Sequence, residues 1–325
     1  MRRILVTGGA GFIGSNFIRY MLGNSPDDYI VNLDALTYAG NLDNLKDLPN
    51  ASHYSFFEEN VCNASAVHGI MRSQCIDTIV NFAAESHVDR SIAGSTRFIK
   101  TNVVGTEVLL AAALKYGVDK FVQIGTDEVY GSLDEGSPSS IETDPLMPRS
   151  PYAASKASAD LLALSYFHTH GMPVCVTRSS NNYGAYQYPE KIIPLFITNI
   201  LRGKQVPVYG EGRNIRDWLH VEDNCRAIKA VLDSGRPGEV YNIAGGNEIR
   251  NIELTERVLT LLGKQDWHLF VEYVKDRKGH DWRYSMNCDK MKDELGWQPQ
   301  VLFEDGLRGT VKWYERNEEW WTKLI

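Results

Sequence analysis

No stretch of this 325-residue chain approaches the apolar run of about 20 residues that a membrane-spanning helix needs, so such a helix is excluded. Paired cysteines are also missing. Cys62, Cys75, Cys175, Cys225 and Cys288 are odd in number and far apart, with no zinc or redox-dithiol spacing, and read as reduced structural thiols. A signal-peptide core is absent, because Ile4-Leu5-Val6 breaks at once into Thr7-Gly8-Gly9, and a cytoplasmic protein is expected. Basic residues are outnumbered: 34 Lys and Arg against 41 Asp and Glu give a formal charge of −7, without the basic surplus of a nucleic-acid binder. The histidines, His168 and His170 among them, lack a partner set for a metal, and no metal is expected. Internal repeats and low-complexity segments are lacking too.

What is present belongs to a globular chain of ample core, with 43% hydrophobic and 23% charged residues. Its length exceeds what one core usually supports, which favours a large domain with a smaller one appended. The first half alternates short β-branched runs with helical stretches. Strands are expected at 4–7, 29–33, 54–57, 78–82, 120–124 and 174–178, with helices at 12–22, 98–116 and 152–169. That order implies an α/β fold, a doubly wound parallel (Rossmann) sheet over residues 1–178. Beyond Arg178, Pro, Gly, Tyr and Asn become dense. Residues 179–325 are expected to form mainly a smaller, mixed α/β substrate-binding domain, with a segment near 215–243 returning to the first. A strand at 240–243 and an amphipathic helix near 303–320 are expected within this half.

Gly8, Gly11 and Gly14 follow the first strand and open the first helix. Gly8 permits a tight turn, Gly11 lets a pyrophosphate approach the backbone, and Gly14 allows close helix–sheet packing, while the helix N-terminus offers free N–H groups. Alone this is a weak signal. Asp34, twenty residues beyond Gly14, strengthens it: a carboxylate at the end of the second strand accepts both adenosine ribose hydroxyls and repels a 2′-phosphate, which favours NAD over NADP. Gly-x-x-Gly-x-x-Gly spacing resembles that of the extended short-chain dehydrogenase/reductases.

Tyr152 and Lys156 stand one helical turn apart on one face. A nearby cation typically lowers a phenol from its ordinary value of about 10 by roughly 1–3 units, so Lys156, assisted by the positive nicotinamide ring, is expected to make Tyr152 a usable base. Thr126 supplies a hydroxyl just past the fifth strand, and Asp127-Glu128 follow it where sheet proteins of this class bind ligands. Tyr-x-x-x-Lys accounts only for oxidation of an alcohol. An acid pair is what elimination of water requires, one carboxylate taking a proton from carbon and one carboxylic acid protonating the departing hydroxyl.

Longer segments carry a more specific resemblance: Asp34 to Asn41, Phe82 to Ser91, Thr126 to Gly131, Ser150 to Lys156, Ser180 to Gly184, Tyr188 to Lys191, Arg216 to Asp223 and Asp276 to Asp281. Through them essentially the whole chain resembles the dTDP-glucose 4,6-dehydratases. The resemblance implies NAD contacts at Phe12, Ile13, Asp34, Ala35, Leu36, Thr37, Asn60, Val61, Phe82, Ala83, Ala84, Thr101, Tyr152, Lys156 and Asn182. It implies sugar-nucleotide contacts at Ser86, Thr126, Asn181, Lys191, Ile192, Pro207, Val208, Tyr209, Arg216, Asn251 and the loop Asp276, Arg277, Lys278, Gly279, His280. Lys191 and Arg216 are the expected diphosphate partners, which answers how an acidic chain holds an anionic substrate.

The implied chemistry has Tyr152 take the sugar O4 proton during oxidation at C4, Glu128 remove the C5 proton, and a protonated Asp127 release the C6 hydroxyl as water. The family usually has Asp before an aliphatic residue where this chain has Asn60-Val61, which predicts at most ~1–2 kcal/mol weaker adenine binding. Lys278 stands for a usual proline and Trp282 for a usual arginine. A nucleotide-sugar epimerase or decarboxylase of the same fold is the alternative, opposed by the acid pair; a catalytically dead NAD-binding regulator would be expected to lose residues that all survive here.

A homodimer is expected as well. Val103, Val104, Val108, Leu109, Leu110, Leu161, Leu162 and Leu164 spread over more than one face of the helices at 98–116 and 152–169. In related proteins these two helices form a four-helix interface with a second copy.

Overall fold

The computed structural model describes residues 1–325. In its first part, strands and helices alternate: β1 Arg3–Thr7, α1 Phe12–Asn24, β2 Tyr29–Asp34, β3 Tyr54–Glu58, α2 Ala64–Ser73, β4 Thr78–Asn81, α3 Val88–Ala93, α4 Thr96–Phe98, α5 Gly105–Tyr116, β5 Lys120–Thr126, α6 Pro151–His170 and β6 Val174–Ser179. The second part has β7 Asn181–Tyr183, α7 Ile192–Leu201, β8 Val206–Tyr209, β9 Ile215–His220, α8 Val221–Ser234, β10 Val240–Ile243, β11 Glu248–Arg250, α9 Asn251–Leu261, β12 Val271–Val274, α10 Asp289–Leu295, α11 Phe303–Arg316 and α12 Glu318–Thr322. None of the helices is long and apolar enough to cross a membrane.

Seven strands form one parallel sheet in the order β10-β6-β5-β4-β1-β2-β3. A parallel sheet is covered on both faces, which is why β1, β4 and β6 are buried almost throughout and carry the apolar runs Ile4 to Val6, Ile79 to Val80 and Val174 to Val176. One core packs Phe17, Ile18 and Met21 of α1 with Ile228, Val231 and Leu232 of α8; the other packs Val67 and Ile70 of α2 with Leu109 and Ala113 of α5 and Ala163 of α6. The strand order reverses between β1 and β4, so a crevice opens there above the carboxyl ends of the strands.

The smaller part has sheets β11-β9-β7 and β12-β8 and a third core, where Phe196, Trp218, Leu254, Val311 and Trp321 meet. It stands beside the same carboxyl ends, because β7 follows β6 after a single residue.

Two expected helices are interrupted. The one at 98–116 widens into a π-turn over Ile99–Val104. There Asn102 points inward, accepting from Glu85 N at 2.8 Å and donating to Glu85 O at 3.1 Å and Ser155 Oγ at 2.8 Å, a bond set that pins the loop after β4. The C-terminal helix stops at Arg316; Asn317 caps it by donating to Trp313 O, and α12 turns so that Trp320 Nε1 donates to Asn44 Oδ1 at 2.8 Å. Helices α2, α7, α8 and α9 were not among the expected elements, although each is more amphipathic than α1, α5 or α6.

Candidate active site

The glycine turn is built as its spacing suggests. Gly8 has φ +67°, and a Cβ there would come within 2.7 Å of Ala83 N; one on Gly14 would lie 2.4 Å from Gly8 O. Gly11 differs: its neighbours leave a Cβ almost free, the closest being Gly8 O at 3.3 Å. What it contributes is an extended N-cap without a side chain, so the first N–H groups of α1 point uncovered into the crevice. Gly9 proves as constrained as Gly8, since a Cβ would strike Asn32 Oδ1 at 2.3 Å, a packing demand not readable from the motif.

Asp34 ends β2 almost fully buried. Its Oδ2 accepts from Ala10 N at 2.9 Å and its Oδ1 from Leu36 N at 2.8 Å, while Leu36 itself sits at φ +46°. Burial pushes this carboxyl above its ordinary value and the two backbone bonds oppose that. The carboxylate therefore braces the glycine turn as well as facing the crevice, and a non-glycine residue in the left-handed region marks local strain beside it.

The crevice has a cavity of about 310 Å³ lined by every residue expected for the cofactor except Leu36, whose backbone rather than side chain serves the site. The free helix terminus, the glycine cradle and the carboxylate at the end of β2 fit the pyrophosphate and ribose of a dinucleotide. Glu59, Glu85, Gln187, Tyr188 and Glu190 line it too. Glu85, Tyr188 and Glu190 fall within the segments that carry the resemblance, whereas Glu59 and Gln187 had no motif to flag them.

A second cavity of about 410 Å³ continues from the first, sharing Glu128, Asn181, Glu190 and Lys191. Ile192, Pro207, Val208, Tyr209, Arg216, Asn251 and residues 277–280 line it, whereas Ser86 and Thr126 line the first. Asp276 lies outside both; it accepts from Arg277 N at 2.8 Å and pairs with His280 Nδ1 at 2.7 Å, orienting that ring. Asn181 Oδ1 and Asn251 Oδ1 are buried without hydrogen-bond partners, as polar atoms are when a ligand completes them.

Two cations face this space from fixed positions. Lys191 Nζ donates to Ser86 O at 3.0 Å. Arg216 donates to the carbonyls of Ile215 at 2.7 Å and Asp281 at 3.0 Å, and its guanidinium stacks 4.3 Å over the Tyr284 ring. A third, Arg277, forms a two-pronged ion pair with Asp89 (2.6 and 2.9 Å), tying α3 to the 276–280 loop.

The reacting groups gather where the cavities meet. Thr126 Oγ1 donates to Asp127 Oδ1 at 3.1 Å, and Asp127 Oδ2 is buried without a partner. Burial, then the adjacent Glu128 charge, push Asp127 up to about 8. Burial raises Glu128 as well, with Lys191, Arg216 and Arg277 opposing part of that rise. Three cations thus act on Glu128 and one, Arg216, on Asp127, which makes Asp127 the better acid of the two and Glu128 the better base.

Ser150 Oγ caps α6 by accepting from Ala153 N at 3.0 Å, Pro151 opens it, and Tyr152 and Lys156 follow one turn apart. Burial first, then the charges of Glu128, Asp127 and Asp160, push the Tyr152 phenol up, and the Thr126 hydroxyl opposes them. Lys156 donates to Ile124 O.

A dinucleotide crevice at the switch point of a doubly wound sheet, with a Tyr-x-x-x-Lys helix beneath it, defines a short-chain dehydrogenase/reductase type of enzyme. Residues 5–310 match the family described as GDP-mannose 4,6 dehydratase, and the chain belongs to it. It is 52% identical over 327 residues to the dTDP-glucose 4,6-dehydratase of Streptomyces niveus, with 99% of this chain and 95% of that one covered. The crystal structure of the Bacillus anthracis dTDP-glucose 4,6-dehydratase in complex with NAD superposes with a TM-score of 0.93 at 52% identity, covering 100% of both chains. That of the Streptomyces venezuelae enzyme with NAD and TYD bound gives 0.96 at 51% identity, covering 99% of this chain and 100% of that one.

Proposed function

We propose that this chain is an NAD-dependent dTDP-glucose 4,6-dehydratase, a hydro-lyase that converts dTDP-glucose to dTDP-4-keto-6-deoxyglucose and water. The observation that carries the reading is the unlike pair Asp127 and Glu128 beside Tyr152, because elimination needs an acid and a base at once. An epimerase or decarboxylase on this fold has no use for both.

When bound, NAD supplies a hydride acceptor and donor, taking hydride from sugar C4 and returning it at C6. Asp34, the glycine turn and the α1 N-terminus hold its adenosine and pyrophosphate, and Lys156 with Tyr152 stand at the nicotinamide end. Tyr152 takes the O4 proton, with Thr126 orienting the sugar. Glu128 then removes the C5 proton, which the 4-ketone has made acidic. Asp127, protonated at neutral pH, gives its proton to O6 so that the C6–O bond breaks and water leaves. Glu128 returns a proton to C5 as C6 is reduced. Lys191, Arg216 and Arg277 hold the diphosphate, and residues 179–325 serve mainly as the nucleotide-sugar domain.

We further propose a cytoplasmic homodimer. All five cysteines are free, in keeping with a reducing compartment, and Ile99, Val104 and Leu161 expose 47%, 45% and 57% of their surfaces on the two helices expected at the interface.

Incubating the purified protein with dTDP-glucose and with UDP-glucose, then weighing the products, tests the reaction. Loss of one water from the thymidine substrate without net NADH is expected; an isomer of unchanged mass points to an epimerase.

A further inference from the structure

We infer that Asp160 is a positioning residue for the oxidation step, its carboxylate supplying from behind the active site the counter-charge that keeps Lys156 an ammonium ion. The role in oxidation rests on the dehydratase reading; the charge state of Lys156 is a property of the fold and is tested separately.

Tyr152, Lys156 and Asp160 follow one another at four-residue spacing down one face of α6. Lys156 is 4% exposed and Asp160 fully buried. Lys156 Nζ donates to Ile124 O, a neutral acceptor that satisfies a hydrogen bond without balancing a buried charge. Asp160 Oδ2 accepts from Arg178 Nε at 3.0 Å, while Oδ1 is buried and takes no hydrogen bond at all. Two buried cations, Arg178 in an ion pair from β6 and Lys156 one turn away on its own helix, thus flank this single carboxylate and oppose the rise that burial imposes on it.

The surroundings are shaped for that arrangement. Gly125 lies opposite Arg178 in the sheet register, and a Cβ there would come within 3.0 Å of Asp160 Oδ2 and 3.1 Å of Arg178 Cγ. Arg178 Nη1 donates to the Tyr130 hydroxyl at 2.8 Å, which donates to Asn242 Oδ1 at 2.7 Å. Tyr130 closes the short turn that begins with Asp127 and Glu128, so the network runs behind both reacting pairs.

Of the charged and titratable groups around Lys156, Tyr152 and Asp160 come from α6, Arg178 from β6 and Tyr130 from the turn, while Glu128, Asp127 and, more weakly, Asp160 itself push Tyr152 up, so that Asp160 helps the phenol only through the lysine. Burial pushes Lys156 down, and Asp160 is the group that pushes it back up. A neutral lysine leaves Tyr152 alone with two carboxyls, and the phenol then gives up its proton less readily.

The test titrates Lys156 directly in the NAD-loaded protein by NMR with [ε-¹³C]lysine, its resonance identified as the one missing from Lys156→Met. In Asp160→Asn, which keeps shape and an acceptor for Arg178, Lys156 should lose its proton about one pH unit or more below wild type. In Arg178→Gln, which leaves the carboxylate to Lys156, it should do so above wild type. The alkaline limb of single-turnover NADH formation with dTDP-glucose should move down with the NMR value in Asp160→Asn. Titration within about 0.3 pH unit of wild type in both variants overturns the inference, as does a shift of both in one direction. A moved titration with an unmoved NADH limb overturns the role in oxidation. Should Asp160→Asn not fold, Arg178→Gln decides by its own sign. If wild type forms no NADH, the dehydratase reading falls while the titration still judges Asp160.

Discussion

Thr126 Oγ1 donates to one oxygen of Asp127 and leaves the other buried without a partner, and this burial beside Glu128 outweighs the hydroxyl's pull toward the anion, so the fold favours a proton on this carboxyl. Asp127 is raised to about 8 from an ordinary 3.8. A carboxyl raised in the fold stabilises it fully below its unfolded value, and that contribution is lost as pH rises through the folded value. The window for Asp127 therefore runs from about pH 4 to about pH 8. Asp127→Asn, which can never ionise, should melt higher than wild type at pH 9 and show a smaller difference at pH 5 by calorimetry. A difference independent of pH would mean that Asp127 is already ionised in the native protein.

Asp34 calls for two variants, because its oxygens take the backbone N–H groups of Ala10 and Leu36. Asp34→Ala frees two buried donors and should lower both NAD affinity and melting temperature. Asp34→Asn keeps one acceptor and should spare most of the melting temperature while weakening NAD by roughly 2–3 kcal/mol, the worth of hydrogen bonds to a charged group. Isothermal titration with NAD and a thermal scan separate the effects. Equal NAD affinity in Asp34→Asn and wild type would remove Asp34 from the ribose site.

The first half of the fold was legible because a parallel sheet writes itself as buried β-branched runs, and the cofactor crevice because Asp34 follows the glycine spacing at the distance a dinucleotide site requires. Asp276 and Leu36 were harder: both adjoin the site yet act through His280 and a backbone N–H, a distinction that chain position does not carry. Tyr284, which stacks on Arg216, and Gln187, which lines the first cavity, belong to no motif and come to the site only through tertiary packing. The surroundings of Tyr152 are legible only in part for a similar reason, since one helical turn of sequence shows the lysine but not how deeply the phenol is buried.

Leu161 is the most exposed of the apolar side chains on α5 and α6. Leu161→Asp should yield a monomer by light scattering at micromolar concentration, with NAD still bound, since the crevice opens on another face. A wild-type protein of 36.6 kDa in solution would already refute the dimer.

Tyr152 and Glu128 should divide the reaction into its two halves. Tyr152→Phe removes the O4 base, so the NAD-loaded variant mixed with dTDP-glucose should give neither bound NADH nor product, the rate falling by about 10²–10⁴ as for loss of a positioned proton-transfer group. Glu128→Gln leaves that base and takes a carboxylate charge away from it, which eases rather than hinders ionisation of the phenol. Oxidation should then proceed, seen as a burst of bound NADH absorbance that decays slowly. Deuterium from heavy water should fail to enter C5, because the group that exchanges it is gone. Asp127→Asn should differ from both: it keeps the carbon base and loses the O6 acid, so C5 exchange should outrun water loss. Wild-type exchange at C5 in Glu128→Gln would strip Glu128 of its role and leave the two carboxyls trading functions, or titrating as one coupled pair.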